Sequence, residues 1–102
     1  MDQKEQSLRA ELADLDKKLQ DPAIFADKSY PKLAKRKSAL EALIALFDEK
    51  SKLLTDKQSS EEIKNGSNAE LAQMATVELE ELDKKIANNE EKLIEALTPQ
   101  DP

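Results

Sequence analysis

SNAELAQMATVELEELDKKIANNEEKLIEALT, residues 67–98, decides the fold. Ala72, Ala75, Leu79, Leu82, Ile86, Asn89, Leu93 and Ala96 recur at alternating steps of three and four. That period places them on one stripe of an α-helix for more than three heptads, the pattern of a helix packed along a partner helix. Asn89 interrupts the apolar series. A polar residue there either fixes the register of the seam at some cost in stability or occupies a solvated edge. The start reads as a capping box over Ser67-Asn68-Ala69-Glu70, with the Ser67 hydroxyl accepting an early backbone N–H and Glu70 reaching back. Thr98-Pro99 ends the helix, because proline disfavours helical geometry at the residue before it.

Working backwards, Asn65-Gly66 is a turn signal, with Gly66 suited to a left-handed position after a helix. The helix before it opens near Ser29-Tyr30-Pro31, where proline suits a first turn. Leu33, Leu40, Leu43, Ile44, Phe47 and Leu54 mark its apolar face. Past Leu54 the pattern thins until Ile63. Ser59-x-x-Glu62 offers a fresh capping box, but no glycine or proline forces a break, and a continuous helix to Asn65-Gly66 is the expectation. At the other end Met1, Glu5, Leu8, Leu12, Leu15 and Leu19 form a heptad-like stripe that stops at Asp21-Pro22. Ile24 and Phe25 are too apolar for a plain surface loop and are expected to plug the end of a bundle.

The fold expected is therefore all-α: an antiparallel three-helix bundle or coiled-coil hairpin, with one short and two long helices joined by short connections. Residues 1–97 form one helical domain and 98–102 begin a linker. Toward Gly66 the two long helices share only a thin seam, which makes that arm the less stable end.

Composition narrows the function. Among 102 residues there is one glycine and no cysteine, histidine or tryptophan; aromatics make up 3%, apolar residues 38% and charged residues 37%. One glycine cannot build a Gly-rich phosphate loop. Without His or Cys, neither a Ser-His-Asp nor a Cys-His arrangement exists, and no calcium-loop spacing is present. No catalytic residue, cofactor or metal ligand can be nominated, and an enzyme is not expected. The apolar runs fall short of the roughly 20 residues needed to span a membrane. The lack of cysteine fits a cytoplasmic protein.

The net charge of −6 disfavours bulk electrostatic binding to nucleic acid. Basic residues nevertheless gather at Lys17, Lys18, Lys28, Lys32, Lys35, Arg36 and Lys37. They form either a patch for RNA or an acidic protein, or the basic half of internal ion pairs, for which Glu90, Glu91 and Glu95 of an antiparallel last helix would be placed. Glu78, Glu80, Glu81 and Asp83 form an acidic stretch without ligand-like geometry.

The order of these features resembles a known module. Asp21-Pro22-Ala23-Ile24-Phe25 follows a short helix, and Tyr30, Leu33 and Leu40 open a long one. Ala69-Glu70-Leu71-Ala72-Gln73-Met74-Ala75 leads into Glu78-Leu79-Glu80-Glu81-Leu82, and the chain closes on Leu97-Thr98-Pro99-Gln100-Asp101-Pro102. Together they resemble the N-terminal helical domain of bacterial class-1 peptide chain release factors. The closing stretch is nearer to the branch that reads UAA and UAG than to its UGA-reading relative. Gln100 departs from the lysine usual in the family. The Gly-Gly-Gln and Pro-x-Thr tripeptides of that family are absent here, so the resemblance implies a first domain without the codon-reading and hydrolytic parts. It implies a positioning role through the ribosomal large-subunit stalk base and the release-factor GTPase, with an rRNA contact possible, no membrane and a monomeric isolated domain.

The candidate contact residues are Asn65, Gly66, Ser67 and Asn68, at the polar tip of the arm and far from the closing tail. The competing class is a coiled-coil oligomerisation or adaptor hairpin unrelated to translation, in which a second copy covers the thin seam. A tight symmetric dimer in sedimentation would favour that class.

Overall fold

A computed structural model describes residues 2–98. Met1, at the head of the first stripe, and residues 99–102 of the expected linker lie outside the described residues. The chain is all-α, with no strand among the described residues: α1 (Gln3–Gln20), a short 3₁₀ helix (Pro22–Ala26), α2 (Tyr30–Lys64) and α3 (Ala69–Leu97). One helix is short and two are long, as the periodicity requires. Two compact units divide the chain, residues 1–45 and residues 46–102.

In the first unit Asp2 caps α1, its Oδ1 accepting the Glu5 N–H at 2.7 Å. The heptad stripe of α1 faces inward at Leu8 and Leu15, which are buried, and at Leu12 and Leu19, which are half-buried. The helix stops before Pro22. Asp21 turns the chain, its Oδ1 accepting the Ala23 N–H at 3.0 Å. Phe25 is not the expected plug. It is 63% exposed and packs its ring on Tyr30, with centroids 5.0 Å apart, while Ile24 is half-buried. A five-residue 3₁₀ turn cannot turn two adjacent side chains inward together, and neither Ile24 nor Phe25 is buried. Asp27 then accepts both the N–H and the hydroxyl of Ser29, at 2.8 and 2.6 Å, just ahead of α2. Those two bonds hold the Asp27 carboxyl below its ordinary range, the hydroxyl contributing most. Leu40 and Leu43 of α2 complete the buried apolar set of this unit.

α2 runs unbroken for 35 residues, about 52 Å at 1.5 Å per residue. The capping box at Ser59 does not form: nothing there outweighs the helical bonds on either side, and Ser60 is small enough to lie buried in the seam. In the second unit the buried positions are Phe47, Leu53, Ser60, Ala75, Leu82, Asn89 and Leu93. Leu53, not Leu54, faces inward; Leu54 is 47% exposed. From Phe47 the next inward position falls six or seven residues on, so the sequence alone does not choose between adjacent leucines.

The helices of this unit are antiparallel. As numbering on α2 rises from Glu49 to Lys57, the partner on α3 falls from Asn89 to Asp83. The stripe read from the sequence holds from Ala72 to Leu93, and Ala96 is exposed. Between Ser60 and Ala75 no residue is buried, so the thin-seam end of the hairpin lacks a core, as expected.

Candidate functional site

The four nominated residues come together as the turn between α2 and α3, and all are exposed. The last turn of α2 is closed by the Asn65 N–H on the Glu61 carbonyl at 3.0 Å and the Gly66 N–H on the Ile63 carbonyl at 3.1 Å. Gly66 is not left-handed. What it supplies is room, because a Cβ there would lie 3.2 Å from the Ile63 carbonyl oxygen. The cap of α3 also sits one residue later than the sequence suggests. Asn68, not Ser67, is the N-cap, and its Oδ1 accepts the Leu71 N–H at 3.0 Å. Asparagine and serine are equally good caps, so Ser67-Asn68 is ambiguous from sequence. Asn68 therefore has a structural duty and keeps only its amide Nδ2 for a partner. Asn65, the Ser67 hydroxyl and the backbone at Gly66 are the groups left on the surface.

A shallow groove of 500 Å³ runs from this turn between α2 and α3, touching Lys57, Lys64, Asn65, Glu80 and Asp83 among others. The Lys57 ammonium meets the Asp83 carboxylate at 2.8 Å, and this bond raises the lysine above its ordinary value. Opposite charges thus pair along the groove instead of converging on one point. Among the described residues no group of three or more His, Cys, Asp or Glu is placed to hold a metal ion.

Asn89 settles into the first of its two readings. It is 1% exposed, and its Nδ2 donates to the Leu46 carbonyl and to Glu49 Oε1, both at 3.0 Å. A buried amide with two partners on the facing helix penalises any sliding of the seam, since a shifted register leaves it unpaired.

The basic cluster divides. The Arg36 guanidinium grips the Glu11 carboxylate of α1 with two bonds, 2.6 and 2.7 Å, which hold Glu11 below and Arg36 above their ordinary values. Lys37 pairs with Asp16 at 3.0 Å. The partners are thus on α1, not at Glu90, Glu91 or Glu95. The connector after Asp21 is short, so α1 is the first helix to lie alongside the start of α2. Lys17, Lys18, Lys28, Lys32 and Lys35 are exposed and form no ion pair among the described residues.

An all-helical domain with an antiparallel hairpin and an exposed polar turn is the class defined so far. The chain belongs to the PCRF domain family, whose pattern it matches over residues 8–102. It aligns with the N-terminal region of bacterial peptide chain release factor 1. The relative from Clostridium botulinum strain Hall is 35% identical over 91 residues, covering 87% of this chain and 25% of the relative. Peptide chain release factor 1 of Clostridioides difficile is 36% identical over 91 residues, with 87% and 26% covered, and that of Clostridium acetobutylicum is 33% identical, with 87% and 25% covered. The chain spans about a quarter of the length of these curated relatives. The quarter matched is their N-terminal, non-catalytic domain. No solved structure gave a significant match. No helix among the described residues is long and apolar enough to cross a membrane.

Proposed function

We propose that this chain is the accessory first domain of a cytoplasmic translation termination factor that reads UAA and UAG and promotes peptidyl-tRNA hydrolysis through parts outside residues 1–102. Its task is to position the factor on the ribosome, through the stalk base of the large subunit and the release-factor GTPase. The observation that carries this reading is the alignment with release factor 1 over 87% of the chain. In this reading residues 1–97 are the domain and 98–102 open the linker to the next one, and the isolated domain is a monomer.

The turn Asn65, Gly66, Ser67 and Asn68 serves as the partner contact. It is exposed, and α3 carries it about 45 Å from Thr98 at 1.5 Å per residue. An rRNA contact falls to the unpaired lysines Lys17, Lys18, Lys28, Lys32 and Lys35, because paired cations have already spent their charge on a carboxylate.

The test uses the full-length factor. Asn65→Ala with Ser67→Ala leaves both helical ladders and the Asn68 cap intact. It is expected to weaken ribosome binding and slow termination at a UAA codon while the circular dichroism spectrum stays unchanged. Lys28→Ala, Lys32→Ala and Lys35→Ala together are expected to flatten the salt dependence of binding. Wild-type binding and termination in the turn variant would refute the contact assignment, and concentration-dependent dimerisation of the isolated domain in sedimentation would refute the monomeric reading.

A further inference from the structure

The outer face of α3 carries Met74 and Val77 at 64 and 62% exposure. The step of three keeps Met74 and Val77 on one flank of the helix, away from the buried stripe of Ala75, Leu82 and Leu93. Met74 and Val77 open into a 290 Å³ concavity that also touches Glu78, Glu81, Leu82 and Lys85. Glu78, Leu82 and Lys85 in turn border a 400 Å³ groove between α2 and α3, so the two depressions are continuous. Two large, exposed apolar side chains at one depression on a helix already packed on its other side form a surface with no task inside the hairpin.

The charge on the stretch of α3 that carries Met74 and Val77 is acidic, and Lys85 is the one cation touching their concavity. No lysine or arginine occurs between Lys64 and Lys84, whereas Glu70, Glu78, Glu80, Glu81 and Asp83 all do. Asp83 is bound to Lys57 at 2.8 Å, and Glu81 lies 3.6 Å from Lys84. Glu70, Glu78 and Glu80 form no ion pair among the described residues.

We infer that the Met74–Val77 face of α3 is a docking surface for a basic amphipathic helix of a partner protein, whose apolar side chains enter the depression while its lysines and arginines meet Glu70, Glu78 and Glu81. An apolar face laid in a groove supplies the area, and complementary charge at the rim fixes the orientation. A second copy presenting the same face would set its carboxylates against these ones. A phosphate backbone or an anionic membrane surface meets the same repulsion. The surface lies on residues other than the turn, and the inference stands apart from the ribosomal reading.

The test titrates the full-length protein into a labelled Leu/Lys amphipathic peptide and into its Leu/Glu counterpart, each of about 18 residues so that a helix forms on binding, with fluorescence anisotropy as the readout. The Leu/Lys peptide is expected to bind and the Leu/Glu peptide not. Met74→Ser with Val77→Ser is expected to weaken the Leu/Lys complex by about tenfold or more, the loss of two partly buried apolar contacts. Glu78→Lys with Glu81→Lys is expected to transfer binding to the Leu/Glu peptide. All four positions are exposed, and circular dichroism checks that the helices persist. Equal binding of both peptides, no binding, or binding indifferent to these variants overturns the inference. So does self-association abolished by Met74→Ser with Val77→Ser, which gives the face to a second copy. Protection of Met74 from peroxide in the free, monomeric full-length protein also overturns it, by giving the face to another part of the same chain.

Discussion

The two units reach a defined helix pairing by different chemistry. Residues 1–45 hold nine basic and eight acidic residues, and residues 46–102 hold seven and fourteen. The first, near-balanced unit is cross-linked at its surface by the Arg36–Glu11 fork and the Lys37–Asp16 pair. The second, strongly acidic unit has few cations to spend. Beside a single surface link between its helices, Lys57–Asp83, its register is held from inside, by Asn89 reaching Leu46 and Glu49 along an apolar seam. Surface pairs are worth about 0–1 kcal/mol and yield to salt, whereas a buried amide is insensitive to salt and intolerant of replacement. Composition therefore shifts the balance between the two devices from one pair of helices to the other.

Substitutions separate the two modes. The largest effect is expected in the first unit's core: Leu40→Ala removes a fully buried side chain and should cost about 3–4 kcal/mol, read as a lowered midpoint in urea. Next, Asn89→Asp places a buried carboxylate beside that of Glu49 and should cost about 2–3 kcal/mol at neutral pH. The new carboxyl would have a raised pKa, so the folded state binds more protons than the unfolded one and stability recovers as pH falls toward about 5. Asn68→Ala removes the cap of α3 for about 1 kcal/mol, with faster amide exchange confined to the first turn at Leu71.

The smallest effect is expected at Glu11→Gln, about 0.5 kcal/mol at low salt and vanishing toward about 1 M, where the screening length is about 3 Å. Glu11 also titrates with the opposite sign to the carboxyl that Asn89→Asp introduces. It is held below its ordinary value, so its contribution is present above the unfolded pKa of 4.5 and is lost as pH falls through the lower folded value. Acid titration of the wild type should loosen the α1–α2 contact first, followed by exchange of α1 amides.

Legibility from sequence tracked how strongly each residue type commits to one environment. The α3 stripe was readable because leucine and isoleucine at steps of three and four have one stable placement, and helix continuity through Ser59 followed from the lack of a breaker. Leu53 against Leu54 was not readable, because two adjacent apolar residues satisfy the same period one step apart. Nor was Ser67 against Asn68, since both are good caps. Asn89 was ambiguous because an amide suits water and a paired interior alike, and only the carbonyl of Leu46 and the carboxylate of Glu49 decide between them. At Gly66 the turn was read correctly and the part played by glycine was not: the constraint is the Ile63 carbonyl, not the sign of φ. The candidate contact turn was legible as an exposed polar bend, while the apolar outer face of α3 lay hidden among residues that the same helical period spreads around the cylinder.

The cation-free stretch between Lys64 and Lys84 has a practical consequence. Trypsin cuts only after lysine and arginine, so digestion releases residues 65–84 as one peptide. That peptide carries the turn from Asn65 to Asn68 together with Met74 and Val77. A single peptide therefore reports labelling at both surfaces, and its fragment ions, compared with and without ribosomes or a Leu/Lys peptide, tell which of the two becomes covered.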